Sequence, residues 1–303
     1  MVNWLVAGVG DIARRRVIPA ILAERRSWLH AVVTRWPEKA AEYGVRGYAA
    51  MEDAVADTAV DAVYVATPVA LHHPQVLAAL RAGKHVLCEK PVAMHYAQAE
   101  EMAAAAEASG RVCGVAYYRR LYPKLIEARR LLRAGAIGQP VAAELNCHSW
   151  FNPANGERAW LIDPLLAGGG PLYDIASHRI DVLNFLFGQP QGAVGFRSNA
   201  VHGYGVEDNA TVLVEYAGGV RGTVDVRWHS RVERDQCRIL GTDGELNLDP
   251  LNGPVLRTPE GVLELPAHAN VHYPLIENFV DAVLDGEPPA CPFREAIRTD
   301  WVT

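Results

Sequence analysis

The sequence lacks long apolar runs and an excess of charge of either sign. No stretch of about 18 consecutive apolar residues occurs, which argues against a transmembrane helix of ordinary length. Lysine and arginine total 29 against 35 acidic residues, giving a net charge of −6. This mildly acidic balance gives no reason to expect nucleic acid or an anionic membrane as a partner.

Cysteines are few, and their spacing does not suggest pairs. The five cysteines are an odd number, and no two of them form a CxxC pattern. A disulfide framework is therefore not expected, and the thiols are predicted to be reduced core residues of a cytoplasmic protein. The N-terminus also lacks the basic-then-apolar order of a signal peptide. The cysteines are Cys88, Cys113, Cys147, Cys237 and Cys291.

Apolar strands alternate with helix-like segments up to about residue 118. These strands are apolar throughout rather than alternating with polar residues, which is typical of a parallel sheet covered on both faces. We therefore predict an α/β domain with a parallel sheet over residues 1–118. The predicted strands are residues 4–10, 29–35, 61–68, 84–91 and 111–117.

The pattern changes after residue 118. A strand is predicted over 140–150, and two hairpins follow, one turning at Gly218-Gly219 and the other at Asp243-Gly244. A helix-rich stretch over 168–188 interrupts them. Residues 119–303 are thus predicted to form an α+β domain with a large open sheet, mostly antiparallel or mixed.

The first predicted strand runs into a GxGxxA motif. Gly8 permits a tight turn, Gly10 lets the backbone approach a pyrophosphate, and the small Ala13 lets the helix pack closely on the strand. The intervening Asp11 and Ile12 belong to the same turn, and Asp11 is expected to cap the helix. The motif predicts a dinucleotide-binding Rossmann domain, the alternative being a glycine turn that binds nothing.

The second strand ends in Thr34 and Arg35, with no acidic residue there. An NAD-preferring site usually has an acid at this position to hold the ribose hydroxyl, whereas an arginine suits a phosphate. Arg14–Arg16 add positive charge that a bound polyanion would offset. We therefore predict NADP as the cofactor, with NAD as the alternative because Glu38 could supply an acid.

Three stretches together resemble the Gfo/Idh/MocA family of NAD(P)-dependent oxidoreductases. They are "GVGDIA", "VATPVALHHPQVLAALRAGKHVLCEKPVAM" and "GGGPLYDIASHRIDVLNFLFG", in this order along the chain. The resemblance implies a Rossmann domain followed by a domain with an open sheet, which commonly serves as an oligomer interface. It further implies a homodimer or homotetramer and a sugar, cyclitol or related polyol as substrate.

The "EKP" stretch falls on Glu89, Lys90 and Pro91. The resemblance implies that this lysine hydrogen-bonds the reacting oxygen beside the nicotinamide, with Glu89 close to the cofactor. The residues agree, because Lys90 ends a parallel strand, where open α/β sheets bind ligands, and Pro91 keeps it out of helical geometry. A cis Lys90–Pro91 bond is left open, as is an ordinary surface lysine.

Asp174 and His178 are four residues apart and would share one face of a helix. The resemblance implies that they complete the catalytic set with Lys90. Histidine suits proton transfer near neutral pH, and a fixed carboxylate orients it. A salt bridge within the helix remains an alternative. A metal site is not predicted, because no third ligand motif accompanies the pair.

Other site residues rest on the resemblance alone. It places Thr67, Pro68 and His72 near the cofactor, although a histidine at a helix start is often structural. It places Trp160 beside the nicotinamide and substrate. Some NADP-dependent relatives have an arginine after this tryptophan, whereas this chain has Leu161, so that part of the substrate contact is in doubt.

Tyr118 and Arg120 follow the last strand of the first domain. The resemblance implies that they line the substrate pocket, although Arg120 could instead brace the domain junction. Trp150, Phe151 and Asn155 lie on a loop that could stack on a sugar or pack within an interface. The sequence thus predicts an NADP-dependent oxidoreductase. The alternatives are an NAD-dependent glycoside-cleaving enzyme and a non-catalytic dinucleotide sensor.

Overall fold

The computed structural model describes residues 1–153 and 156–303. The chain divides into two compact units. One comprises Met1–Tyr118 and Ala269–Asp300, and the other comprises Arg119–His268 and Trp301–Thr303. Residues 269–300, which the sequence analysis assigned to the second domain, are therefore grouped with the first unit.

The first unit contains a six-stranded parallel sheet in the order β3-β2-β1-β4-β5-β6. This confirms the predicted Rossmann topology, with the order reversing between β1 and β4. β3 was not predicted, since three residues carry too little periodicity. The strands are β1 Val2–Ala7, β2 Ser27–Val33, β3 Arg46–Tyr48, β4 Ala62–Val65, β5 His85–Cys88 and β6 Cys113–Val115.

Helices cover both faces of this sheet, so that its central strands are almost wholly buried. Leu5, Val63 and Val86 have no exposed surface, which explains their unbroken apolar sequence. The helices of this part of the chain are α1 Ile18–Ala23, preceded by a π-helical segment Ala13–Val17, and α2 Met51–Val55, α3 His72–Arg81 and α4 Tyr96–Ser109.

The second unit contains an eight-stranded sheet in the order β14-β13-β12-β11-β7-β10-β9-β8. β7 and β10 pair in parallel and the other neighbours pair antiparallel, which confirms the predicted mixed sheet and both hairpins. Its elements are α5 Pro123–Arg133, β7 Pro140–Trp150, α6 Pro164–Ala167, α7 Ser177–Phe187, β8 Pro190–Ser198, β9 Asn209–Tyr216, β10 Arg221–Arg227, β11 His229–Gly241, β12 Glu245–Asn247, β13 Val255–Thr258 and β14 Gly261–Glu264.

Helix α7 packs closely on one face of this sheet. A Cβ at Gly222 of β10 would lie 2.5 Å from a methyl carbon of Leu183, so a larger residue here would require that side chain to move. Leu145 and Val224 point to the covered face and are fully buried, whereas the neighbouring Glu144 is exposed. This alternation is the period of two that the sequence showed.

Two more helices follow the second sheet: α8 Tyr273–Asp285 and α9 Phe293–Val302. Phe279 of α8 packs on Trp4 of β1 with the ring centroids 5.3 Å apart. Val115 of β6 donates its backbone N–H to the Cys291 carbonyl at 2.9 Å. Residues 269–300 therefore contribute to the hydrophobic core of the first unit. No local sequence pattern predicts this return of the chain.

Candidate functional site

The glycine motif forms a tight turn at the carboxyl end of β1. Gly8 has φ of +92°, and a Cβ there would lie 2.9 Å from the Ala66 backbone just after β4, so glycine is required on both grounds. Gly10 is exposed, and a Cβ there would meet no atom within 4 Å. The open space beside Gly10 fits the close backbone approach that a pyrophosphate needs.

The helix after this turn begins differently from the prediction. No side-chain cap hydrogen bond is present at the start of its π-helical segment, and Asp11 instead pairs with Arg15 at 3.6 Å. The expectation that Asp11 caps the helix was wrong, because the Gly10 carbonyl accepts the N–H of Arg14 at 3.0 Å, which places Asp11 inside the first turn. Ala13 is fully buried, as the motif requires, while Ile12 is exposed.

Two cations flank an exposed indole after β2. Arg35 and Lys39 lie 4.9 Å and 4.7 Å from the ring of Trp36, which is half exposed. The backbone N–H of Thr34 donates to the Tyr48 carbonyl at 3.0 Å and fixes the end of the strand. Lys39 was not singled out from the sequence, although its spacing of four from Arg35 was available as a signal.

His72 connects two loops of the first unit. Its ring is almost fully buried, with Nδ1 3.0 Å from the Pro91 carbonyl and Nε2 3.0 Å from the Thr67 carbonyl. Burial lowers the pKa of His72, although these carbonyl contacts oppose the shift. Pro68 lies between the Thr67 carbonyl and the following helical turn. His72 thus ties the end of β4 to the EKP stretch.

Lys90 is the second residue after the end of β5 and is half buried. The Lys90–Pro91 bond is cis, the isomer that the sequence left open. Helix α4 begins only at Tyr96, so Lys90 lies in a loop at the carboxyl edge of the sheet. The glycine turn lies at the same edge, because β1 and β5 are parallel strands of one sheet.

The carboxylate of Glu89 lies in a buried network beneath this loop. Oε1 accepts the Tyr64 hydroxyl at 2.8 Å and lies 3.4 Å from His272 Nε2. Burial alone would raise the pKa of Glu89, but the contacts with His272 and Tyr64 and the charge of Lys90 together lower it. The His272 ring also packs against Tyr118 at 4.9 Å. His272 was not singled out from the sequence.

In the second unit, Asp174 and His178 lie on one continuous helical stretch. Asp174 belongs to a π-helical segment, Leu172–Ala176, which runs directly into α7. Asp174 is half buried and His178 is buried. Gly170, just before this stretch, leaves no room for a Cβ, which would lie 2.0 Å from the Glu207 carbonyl oxygen.

Arg158 is paired with Asp174 and was missed from the sequence. Its Nη2 lies 3.2 Å from Asp174 Oδ2, and its guanidinium carbon lies 4.7 Å from the centroid of the Phe151 ring. Leu161, found where some relatives carry an arginine, is instead buried in a small apolar cluster. Trp160 packs on that cluster and remains half buried.

Arg120 makes a buried ion pair with Asp181 of α7. Its Nη2 and Nε lie 2.8 Å and 3.1 Å from Asp181 Oδ1, and both side chains are at most 3% exposed. Both residues belong to the second unit, so the pair holds Arg120 against α7, and the roles expected for Arg120 in the pocket and at the domain junction stay predictions. The neighbouring Arg179 pairs with Asp235 at 2.9 Å, so α7 is held by two ion pairs.

The aromatic loop residues have protein neighbours. Trp150 is 42% exposed, and the guanidinium of Arg231 lies over its ring at 4.0 Å. Phe151 packs on Trp228 with the ring centroids 4.9 Å apart. Asn155 lies outside the described residues.

The predicted site residues are divided between the units. Lys90, Glu89, Tyr118 and the residues of the glycine turn belong to the first, and Arg120, Trp160, Asp174 and His178 belong to the second. Over residues 1–153 and 156–303, no cluster of His, Cys, Asp and Glu side chains suits a metal ion. In the same ranges, no helix has the length and apolarity needed to cross a membrane.

Comparison with known proteins identifies the class. An oxidoreductase family with an NAD-binding Rossmann fold matches residues 2–117, and the GFO/IDH/MocA C-terminal domain matches residues 125–247. The chain belongs to the Gfo/Idh/MocA family and is an NAD(P)-dependent oxidoreductase, as the sequence motifs predicted.

Three similar proteins cover between 87% and 99% of the chain. A 1,5-anhydro-D-fructose reductase of Ensifer adhaerens is 34% identical over 304 residues, covering 96% of this chain and 91% of that protein. A scyllo-inositol 2-dehydrogenase (NADP(+)) of Bacillus subtilis is 31% identical, covering 87% and 82%. The crystal structure of aldose-aldose oxidoreductase from Caulobacter crescentus, complexed with glycerol, has a TM-score of 0.89 at 27% identity, covering 99% and 95%.

Proposed function

We propose that the protein transfers a hydride between NADP and a hydroxyl- or carbonyl-bearing carbon of a sugar, cyclitol or related polyol. The observation that carries this proposal is the position of Lys90 at the end of β5, on the sheet edge that also bears the glycine turn. The two loops are separated by β4 alone, which corresponds to two strand spacings or about 10 Å. An extended dinucleotide can span such a distance with its pyrophosphate at Gly8 and Gly10.

A bound dinucleotide supplies the hydride chemistry, and the residues of the chain supply charge and proton transfer. We assign to Lys90 the stabilisation of the reacting oxygen, because an ammonium donor favours an oxygen that gains negative charge. His178 exchanges the proton, with Asp174 orienting its ring. Arg158 in turn holds Asp174. Thr67, Pro68 and His72 shape the cofactor side, while Tyr118 and Trp160 contact the substrate.

The preference for NADP rests on the charge at the end of β2. Arg35 and Lys39 place two cations beside Trp36, and Thr34 precedes them. Planar guanidinium and ammonium donors suit the additional phosphate of NADP. The name of the Bacillus subtilis relative also includes NADP(+).

The substrate class follows the names of the relatives, a 1,5-anhydro-D-fructose reductase, a scyllo-inositol dehydrogenase and an aldose-aldose oxidoreductase. We further propose a homodimer or homotetramer that uses the open sheet, where Phe196 and Val194 of β8 are 84% and 61% exposed. A cytoplasmic location agrees with the five unpaired cysteines.

The decisive experiment measures NADPH oxidation with a panel of keto-sugars and cyclitol ketones in the wild type and in Lys90→Ala. Loss of a group that stabilises or protonates the reacting oxygen is expected to lower kcat by about 10²- to 10⁴-fold. The dissociation constant of NADPH should stay nearly unchanged. Arg81→Ala, which removes a cation from the exposed end of α3, serves as the control and should behave as the wild type.

Two results would replace this proposal. Cleavage of a glycoside with no net NADPH consumption would identify the glycoside-cleaving alternative. Tight dinucleotide binding without turnover on any member of the panel would favour the non-catalytic sensor.

A further inference from the structure

The two carboxylate oxygens of Glu89 contact different groups. Oε1 receives the Tyr64 hydroxyl and faces His272 Nε2, while Oε2 accepts the backbone N–H of Lys90 at 3.3 Å. Only 8% of Glu89 is exposed. A carboxylate buried to this degree is costly unless several donors satisfy it, so the donors around Glu89 determine whether it keeps this orientation.

His272 is the donor that comes from the distant part of the chain. It is 1% exposed and directly precedes α8. An ionised carboxylate only accepts hydrogen bonds, so Nε2 carries the hydrogen in this contact. The other ring nitrogen, Nδ1, is buried and has no hydrogen-bond partner in the part of the chain that the structure describes. The ring is therefore held in place by Glu89 and by packing on Tyr118.

The backbone around His272 is anchored to the helix that follows the glycine turn. The N–H of His272 donates to the Asn270 side-chain oxygen at 3.1 Å, and Asn270 Nδ2 donates to the Arg16 carbonyl at 2.8 Å. A chain of contacts thus runs from Arg16 through Asn270 and His272 to Glu89. These contacts fix the position of the Glu89 carboxylate, next to Lys90, relative to the loop that we propose holds the pyrophosphate.

We propose that His272 is a positioning residue for Lys90 and acts through the Glu89 carboxylate. The proposal rests on the function proposed above for Lys90. When His272 and Tyr64 hold the carboxylate, it stays against the backbone of Lys90 and attracts the lysine ammonium, which limits the directions that the side chain can take. Without His272, the carboxylate loses a donor and turns away, and the lysine loses this restraint.

The first test compares His272→Phe, His272→Gln and Tyr64→Phe with the wild type. Because a displacement of about 1 Å can cost about 100-fold in rate, His272→Phe should lower kcat between tenfold and that limit, with KM for NADPH within about twofold. His272→Gln retains an amide donor and should recover most of the activity. Tyr64→Phe removes a single hydroxyl and should produce a smaller loss of the same kind.

Tyr48→Phe is the matched control. The Tyr48 hydroxyl donates to the Asp57 carboxylate at 2.8 Å, the same length as the bond from Tyr64 to Glu89, within the same unit. This variant should retain the kcat of the wild type. A loss in Tyr48→Phe equal to that in Tyr64→Phe would reduce the effect to general destabilisation and overturn the proposal.

A double variant tests the route through Glu89. If His272 acts only through this carboxylate, then His272→Phe combined with Glu89→Gln should be no slower than Glu89→Gln alone. Additive losses would contradict the proposal. Thermal unfolding of each variant establishes that it is folded, and the Tyr64→Phe comparison remains available if His272→Phe does not fold.

A chemical measurement separates this proposal from the function on which it rests. Reductive methylation of the purified variants with formaldehyde and cyanoborohydride as the hydride donor, followed by mass spectrometry, gives the rate for Lys90 relative to the exposed Lys39. His272→Phe should raise that ratio severalfold, because the lysine loses its carboxylate restraint, and an unchanged ratio would overturn the proposal. If Lys90→Ala retained full turnover, the proposed function would fail while the methylation ratio would still decide whether His272 positions Lys90.

Discussion

Arg158 and Asp174 form an ion pair between a loop and the helical stretch that bears His178. Arg158 Nη2 lies 3.2 Å from Asp174 Oδ2, and the same guanidinium is stacked over Phe151. Arg158 therefore holds Asp174 from outside the helical stretch. Asp174 is four residues before His178 on that stretch. We propose that Asp174 orients His178. The loop that bears Arg158 helps to orient Asp174 through this ion pair.

Arg158→Gln should lower kcat/KM for the carbonyl substrate. Because Arg158 is 47% exposed and pairs of this kind contribute little in water, the expected loss is at most about fivefold. The loss should shrink as salt is raised, since exposed charges are screened. Arg231→Gln is the matched control, because Arg231 stacks on the adjacent Trp150. Equal losses in both variants would mean that stacking, and not the ion pair, matters.

Arg35→Asp should shift cofactor preference from NADPH towards NADH. A hydrogen bond to a charged group contributes about 1.5–3 kcal/mol, so the ratio of kcat/KM values should fall by about 10- to 100-fold. Lys39→Ala should move the ratio in the same direction by less. Arg46→Asp removes a guanidinium that stacks on Tyr48 and should leave the ratio unchanged. Retained NADPH preference in Arg35→Asp would remove Arg35 from the site.

His178→Asn should remove one limb of the pH profile of kcat/KM, because the asparagine amide cannot exchange a proton. The rate at the optimum should fall by about 10²- to 10⁴-fold. Initial rates between pH 5 and 9, spanning about two units on either side of neutrality, provide the measurement. His73→Asn, at a partly exposed histidine of α3 that pairs with Glu101, is the control. An unaltered profile in His178→Asn would assign the proton to Lys90.

Arg120→Met should destabilise the fold rather than act on substrate binding alone. It leaves the buried Asp181 carboxylate without its cation, a change that costs about 3–5 kcal/mol in unfolding free energy. Urea denaturation measures this loss, and the double variant Arg120→Met with Asp181→Leu should recover most of it. Arg130→Ala, which breaks the exposed pair with Glu127, should have little effect. Full stability of Arg120→Met would show that this ion pair does not stabilise the second unit.

Asp208 should make stability depend on acidic pH. Burial would raise the pKa of this carboxyl, but hydrogen bonds from the backbone of Ala200, His202 and Val201 and from Asn209 lower it further than burial raises it. Its stabilisation is therefore complete above the ordinary aspartate pKa of about 3.9 and is lost as pH falls towards the lower pKa of the folded state.

Thermal unfolding of the wild type and of Asp208→Asn as a function of pH measures this contribution. The melting temperature of the wild type should fall steeply below about pH 4, whereas the variant should be less stable at pH 7 and show a shallower decline. Asp243→Asn, at an exposed carboxylate, is the control. Parallel curves for wild type and Asp208→Asn would refute the assignment.

The features that the sequence predicted correctly are those set by local patterns. The apolar strands, the glycine motif and the turns at Gly218-Gly219 and Asp243-Gly244 depend on residues close together in the chain, and each appears in the structure. The missed features have two causes. Asp11 was misassigned locally: the Gly10 carbonyl accepts the N–H of Arg14, so Asp11 lies inside the first turn of its helix, and spacing alone does not set that boundary.

Two residues of the candidate site were not predicted because their partners are distant in the sequence. Arg158 pairs with Asp174, and His272 contacts Glu89, which precedes it by 183 positions. Lys39, which lies over Trp36, was instead a local signal that was not used. Chemical type and local spacing are visible in a sequence, whereas pairing across the core requires the fold.

The return of residues 269–300 to the first unit has a consequence for biosynthesis. The N-terminal sheet can begin to form on the ribosome, but the carbonyl of Cys291 that pairs with β6 and the Asp300 carboxylate that accepts the N–H of Ala93 are synthesised only after residues 119–268 of the second unit. Until then, the apolar surface that α8 covers around Trp4 stays exposed on the nascent chain. The first unit therefore has to be protected from aggregation while the second unit is being synthesised.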